Sequence, residues 1–299
     1  MISFVSDLAL RFREPKNWEV MDFRALWADP RVEGFTRLIR AAMRAPAGIG
    51  RITLALSLGL ATHLIFAAAG LAMMTAMFFG LSESFGRVPL PWALVANFLL
   101  LAQFPLAHSL FLTRRGARAL ARLVPGPHGP ALATTSYALI ASLQLIALFA
   151  LWTPSGIIWW RAEGWTFALV SSAYAASWLI LMKASFDAGL EVQSGALGWL
   201  SLMGKIPARF PDMPTRGLFR LIRQPIYVAF ALTLWTVPVW TPDQLCLAIT
   251  YTAYCLLAPL LKERRFAKRY GERFETYRRA VPYACPGIHL TSTQHTDGP

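Results

Sequence analysis

Residues 225–261 read PIYVAFALTLWTVPVWTPDQLCLAITYTAYCLLAPLL, and this stretch decides the fold. Two apolar runs, Pro225–Trp240 and Asp243–Leu261, meet at Thr241-Pro242-Asp243. Thr is a favoured N-cap, and Pro suits the first helical position. The second run is long enough for a hydrocarbon layer of roughly 30 Å, while the first is short for a full crossing. The pair therefore reads as a tight helical hairpin in a membrane.

Four more stretches of this kind lie upstream: Ile52–Leu81, Pro89–Leu112, Ala133–Trp152 and Gly164–Phe186. Composition agrees. The 299 residues are 56% apolar and 15% charged, where an average soluble domain has about 25% charged residues. A soluble single-core enzyme, a disordered tail protein and a coiled coil are excluded. The net charge of +13 would suggest nucleic acid in a soluble protein. Placement decides otherwise. With Lys183 assigned to the inner end of its span, the seven regions around the six spans hold 9, 1, 4, 1, 6, 0 and 8 Lys+Arg. Membrane proteins gather these residues on the cytoplasmic side, so both termini are expected there and no nucleic-acid partner is. The expected fold is all-α: a polytopic integral membrane protein of about six transmembrane helices with a tight C-terminal hairpin. Its expected home is a bacterial inner membrane.

Four regions follow. Residues 1–51 form a cytoplasmic amphipathic interfacial segment. Within it, Asp22–Arg44 carries Phe23, Leu26, Trp27, Phe35, Leu38, Ile39 and Met43 among charges, with Asp29-Pro30 as an interruption. That pattern suggests a pair of interfacial helices. Residues 52–261 form the membrane domain, 262–286 a cytoplasmic segment, and 287–299 a disordered tail. Asp7 interrupts the apolar run of residues 1–13, and no small-residue cleavage site follows, so no secretory signal is expected. Cys246, Cys255 and Cys285 show no CxxC spacing and read as ordinary packing residues.

Polar residues inside the spans need partners. His63 lies about 11 residues, roughly 16 Å, from the cytoplasmic edge, and His108 only about four residues, roughly 6 Å. That difference in depth argues against a shared haem or metal, and no metal site is expected. Interhelical hydrogen bonds are the default for both histidines and for Gln103 and Gln144. Lys183 is expected to snorkel.

The cytoplasmic charges converge on the last hairpin. Arg216, Arg220 and Arg223 lead in; Lys262, Glu263, Arg264 and Arg265 lead out. The aromatics Phe266, Tyr270, Phe274, Tyr277 and Tyr283 follow. Basic flanks and interfacial aromatics explain most of this without any site. Glu263 is the exception, a lone acid in a basic patch at a helix end. Arg, an acid and aromatic faces suit a zwitterionic, adenine-bearing cofactor, with Arg taking the carboxylate and the acid taking the ammonium.

The run Gly217-Leu-Phe-Arg-Leu-Ile-Arg-Gln-Pro-Ile-Tyr227 resembles the signature of the isoprenylcysteine carboxyl methyltransferase and phospholipid methyltransferase superfamily. Glu263, Tyr270-Gly271, Phe274, Tyr277-Arg278 and Val281-Pro282 are similar to its C-terminal pattern. Upstream, Ala107-His108-Ser109, Thr135-Ser136-Tyr137, Leu151-Trp152-Thr153-Pro154, Trp235-Thr236-Val237-Pro238 and Trp240-Thr241 resemble the NnrU and methanethiol S-methyltransferase branch. The resemblance spans about residues 60–286. It implies a membrane enzyme that binds S-adenosylmethionine in a cytoplasm-facing pocket and takes its methyl acceptor from the membrane side. By position, Arg223, Gln224, Pro225 and Tyr227 would contact the cofactor, and Glu263, Tyr277, Val281 and Pro282 would close over it. Two residues depart from the pattern. Gln224 replaces the motif histidine, and Lys262 replaces the first acid of a pair. These two are the candidates for a catalytic role. Gln224 can hydrogen-bond but cannot act as a base; Lys262 would stabilise a thiolate or an anionic head group.

The expected function is S-adenosylmethionine-dependent methyl transfer to a small thiol or a lipid-like, isoprenoid acceptor. Two alternatives stay open: a non-catalytic accessory protein of the same fold, to which Gln224 and Lys262 point, and an NADPH-dependent reductase of isoprenoid or sterol-like substrates.

Overall fold

Thr241 opens the longest apolar rod of the C-terminal half. Its side chain accepts the Gln244 N–H at 2.9 Å, and its hydroxyl donates to the Gly80 carbonyl at 2.5 Å. Pro242 takes the first helical position, so the helix start has the expected chemistry. The computed structural model describes residues 30–124 and 126–286. The expectations for residues 1–29 and for the tail at 287–299 lie outside the described residues.

Membrane-length helices dominate the chain. After α1 (Pro30–Met43) come α2 (Ile49–Phe78), α3 (Trp92–Phe111), the short α4 (Arg114–Leu123) and α5 (Gly129–Leu151). Then follow α6 (Gly164–Asp187), α7 (Leu190–Gln193), α8 (Ala196–Gly204), α9 (Pro225–Trp235), α10 (Pro242–Tyr270) and α11 (Glu272–Ala280). Five of these, α2, α3, α5, α6 and α10, are long and apolar enough to cross a membrane. The sixth expected span, α9, is a short apolar helix ending at Trp235. The chain beyond it is extended: β2 (Val239–Trp240) pairs antiparallel with β1 (Trp160–Arg161). Pairing with the α5–α6 loop thus replaces the last helical turns expected before Trp240. The chain is a polytopic helical membrane protein.

The core lies between α2, α3, α5, α6 and the hairpin. Met77, Leu148, Leu234, Leu247 and Tyr251 are fully buried in one cluster. Pro105 sits inside α3, where it leaves the Leu101 carbonyl without its usual helical donor. The Tyr251 hydroxyl donates to that carbonyl at 3.4 Å. Gln103 and Gln144 act as expected: each side-chain amide donates to the other's backbone carbonyl, at 2.9 and 3.1 Å, joining α3 to α5. His63 bonds Trp199 at 3.1 Å, and His108 bonds Tyr137 at 2.6 Å. The two histidines therefore sit in separate interhelical contacts.

A helix starts at Pro30, at the expected break. Leu38 and Ala42 of α1 pack on Ala196, Leu197 and Leu200 of α8. Arg51 donates to the carbonyls of Leu202 and Met203 at the end of α8, where a cation is electrostatically favoured. At the end of α6, Lys183 binds both carboxylate oxygens of Asp187 at 2.5 Å, and the Lys side chain stays half exposed. Snorkelling and ion pairing thus coincide.

Candidate functional site

Asp187 tethers the turn that leads into the site. Its carboxylate is buried and accepts the Leu218 N–H at 2.9 Å. Gly217 makes this approach possible. Its φ is +60°, and a Cβ there would fall 2.1 Å from Asp187 Oδ2. The tethered 3-10 turn Gly217–Arg220 turns Phe219 inward, where only 1% of it remains exposed.

The end of the chain then returns to the start of the hairpin. Gly271 breaks α10 from α11, and Phe274 and Tyr277 project from α11 toward the turn. The Tyr277 hydroxyl donates to the Phe219 carbonyl at 2.7 Å. Past α11, the Arg223 N–H donates to the Pro282 carbonyl at 2.9 Å and the Gln224 N–H to the Tyr283 carbonyl at 3.2 Å. Gln224 precedes a proline, which disfavours helix there and leaves its N–H free for this pairing. Burial raises the Tyr277 hydroxyl well above the usual phenol range and pushes Tyr283 up to about 12. Both phenols therefore stay protonated and keep donating, Tyr283 to the Leu256 carbonyl at 3.0 Å.

Between these elements lies a small, partly open cleft, lined by Pro214, Phe219, Arg223, Gln224, Lys262, Glu263, Phe266, Phe274 and Tyr277. Five of these residues were expected at a site: Arg223, Gln224, Lys262, Glu263 and Tyr277. Tyr227 lies one layer away, its ring 5.6 Å from Lys262 Nζ. Pro225 is buried at the first position of α9. Val281 and Pro282 contribute backbone carbonyls that bind Arg223. Pro214 carried no signal in the sequence. Phe219 stood inside the quoted signature run, but nothing local distinguished it from a lipid-facing residue. Asp187 was legible only as a charge at a span end.

Arg223 uses four of its five N–H donors. Its Nε donates to Glu263 Oε1 at 2.8 Å and Nη2 to Oε2 at 3.4 Å. Its Nη1 donates to the carbonyls of Arg278, at 2.9 Å, and Val281, at 2.5 Å, and its guanidinium lies 5.5 Å from the Tyr283 ring centre. Glu263 also accepts from Gln224 Nε2 at 2.7 Å. A carboxylate only accepts, which fixes the amide orientation and leaves Gln224 Oε1 as a buried acceptor without a partner. The arginine and the acid expected to hold the two ends of a zwitterion are thus bonded to one another.

Comparison with known proteins now bears on this cleft. The chain is 29% identical to a methanethiol S-methyltransferase of Crocosphaera subtropica, over 69% of this chain and 80% of that protein. It resembles the methanethiol S-methyltransferases. One from Mycobacterium tuberculosis is 28% identical over 67% of this chain and 81% of its own length. A protein named Nurim, from Xenopus laevis, is 28% identical over 44% of this chain and 49% of its own. No family model matches the chain, and no solved structure matches it. The likeness is consistent with the isoprenylcysteine methyltransferase-like, NnrU-related branch, and the relatives' names indicate a methyltransferase. The upstream segments that carry the resemblance also meet in space. His108 pairs with Tyr137, Trp152 Nε1 donates to Asp243 at 3.1 Å, and Asn97 exchanges two hydrogen bonds with the Thr153 backbone.

Proposed function

We propose that this chain is a membrane-embedded S-adenosylmethionine-dependent methyltransferase whose acceptor is a small thiol. The observation that carries the reading is the convergence of three segments on one cleft. These are Phe219–Gln224, Lys262–Phe266 and Phe274–Tyr277, the same segments that resemble the family signature. The donor set fits the cofactor. Gln224 Oε1 is an unmet acceptor, Lys262 a cation, and Phe219, Phe266 and Phe274 are apolar faces for an adenine or a methylene chain.

The bound cofactor would supply an electrophilic methyl group on a sulfonium. The rest belongs to the chain. The aromatic walls exclude water, which favours displacement by a charged nucleophile. A thiol reacts as its thiolate, so the acceptor loses its proton before the transfer. Gln224, an amide, orients by hydrogen bonding and takes no proton. In this reading residues 1–51 form the interfacial segment, 52–261 the membrane domain and 262–286 the closing segment of the pocket. The Lys and Arg distribution supports cytoplasmic termini in a bacterial inner membrane.

The test is a headspace assay. Detergent-purified protein with S-adenosylmethionine and methanethiol is expected to release dimethyl sulfide, and Gln224→Leu to reduce the rate at least tenfold. Absence of product from protein that binds S-adenosylhomocysteine would direct the search to lipid-like acceptors. Absence of both would favour the accessory reading that Gln224 and Lys262 suggest.

A further inference from the structure

Lys262 is the cation of the cleft that has no acid. Its Nζ lies 5.7 Å from the Phe219 ring centre, 5.6 Å from Tyr227 and 5.6 Å from Phe266. Each ring is within the roughly 6 Å over which an aromatic face attracts an ammonium. Ring faces hold the charge in place but leave its three N–H donors to find conventional acceptors. Among the described residues, Nζ has no salt bridge and no hydrogen bond. The nearest acid, Glu263, bonds Arg223 and Gln224 instead.

The charge balance of the cleft then points one way. Arg223 and Glu263 cancel, and Lys262 leaves one positive charge. A buried pair of opposite charges is strongly resistant to being opened, so a ligand does not displace it cheaply. Two residues that line the cleft carry an open valence among the described residues: Lys262 at Nζ, a cationic donor, and Gln224 at Oε1, a neutral buried acceptor. A ligand end with one carboxylate and one ammonium matches both.

We infer that Lys262 Nζ, and not the Arg223 guanidinium, receives the carboxylate of the cofactor's amino-acid end, with Gln224 Oε1 accepting from its ammonium. This rests on the proposed cofactor reading and deepens it. Arg223 becomes a positioning residue that locks Glu263 and the chain end into the wall. The position that departs from the family pattern becomes the anion receptor.

Two ligands and two variants test this by calorimetry, without turnover. S-Adenosylhomocysteine carries the amino-acid end; 5′-methylthioadenosine shares the adenosine and thioether but lacks it. Lys262→Met is expected to weaken S-adenosylhomocysteine binding at least tenfold and to leave methylthioadenosine within twofold. Lys262→Arg, which keeps the cation, is expected to retain most of the affinity and guards against a folding defect in the Met variant. An unchanged S-adenosylhomocysteine affinity in Lys262→Met, or an equal loss for both ligands, would overturn the inference while leaving the cofactor reading intact. Failure of the wild-type protein to bind either ligand would overturn the cofactor reading itself.

Discussion

Arg223 Nε and Glu263 Oε1 lie 2.8 Å apart, joining the start of α9 to the C-terminal part of α10. Both side chains are nearly buried, at 10% and 12% exposure. The same arginine also bonds carbonyls at the end of the chain, so one side chain ties three segments together. Those segments are distant in sequence, and they define the cleft only while the tie holds.

Removing the acid therefore costs more than losing one contact. Glu263→Ala leaves the guanidinium with carbonyl acceptors but no countercharge, and Gln224 Nε2 loses its acceptor. Opening one side of a buried ion pair costs about 3–5 kcal/mol. Denaturation of the detergent-purified variant is expected to show a loss of that order. Glu263→Gln keeps an acceptor oxygen and is expected to lose less. An unchanged unfolding midpoint in Glu263→Ala would mean the pair is dispensable.

Gly217 is the second fixed point. Its backbone at φ +60° disfavours any residue with a Cβ, by about 1–2 kcal/mol. The Asp187 carboxylate occupies the space a Cβ would need. Gly217→Ala is expected to exceed the conformational cost alone and to weaken S-adenosylhomocysteine binding by detaching the Phe219 turn. Gly126, also at positive φ but with open space around it, is the control. Gly126→Ala is expected to show the conformational cost and unaltered ligand binding.

Glu191 in α7 supplies a dependence on pH. Its residue is 3% exposed, and Oε2 has no hydrogen-bond partner among the described residues. Burial raises its carboxyl above the usual range, and Arg37 offsets this only in part. A raised acid binds its proton more tightly in the folded state than in the unfolded one. Stability is then greatest at low pH and falls as pH rises from the unfolded value toward the folded one. Glu191→Gln is expected to raise the unfolding midpoint at pH 7, with little change near pH 4. The wild-type and variant melting curves, compared across that range, check the sign.

The sequence made the membrane helices and the hairpin legible because apolar length and charge alternation are one-dimensional signals. Thr241 and Pro242 could be read as a helix start because capping is local. The limits of local reading appear at Trp235. Nothing near it says that the following residues pair with Trp160 and Arg161, so a longer helix was expected. Arg223 and Glu263 were both recognised as site residues, but their mutual bond arises only when the hairpin closes. For the same reason the sequence assigned the ligand's carboxylate to Arg223, while the open cation is Lys262. Asp187 and Phe219 were missed as site builders because their importance comes from a contact across 31 residues, between the end of α6 and the glycine turn.

One continuous helix connects Thr241, fixed to Gly80, with Glu263 in the cleft wall. At 1.5 Å per residue the two are about 33 Å apart, close to the thickness of the hydrocarbon layer. α10 thus works as a gauge rod. Residue count along it sets both how far the cleft lies from the Gly80 contact and which way Glu263 faces. One inserted residue would turn everything beyond it by about 100° and swing the acid away from Arg223. Within this rod, exposed apolar side chains such as Ile249, Leu256 and Leu257 are interchangeable in kind, but the number of residues is not.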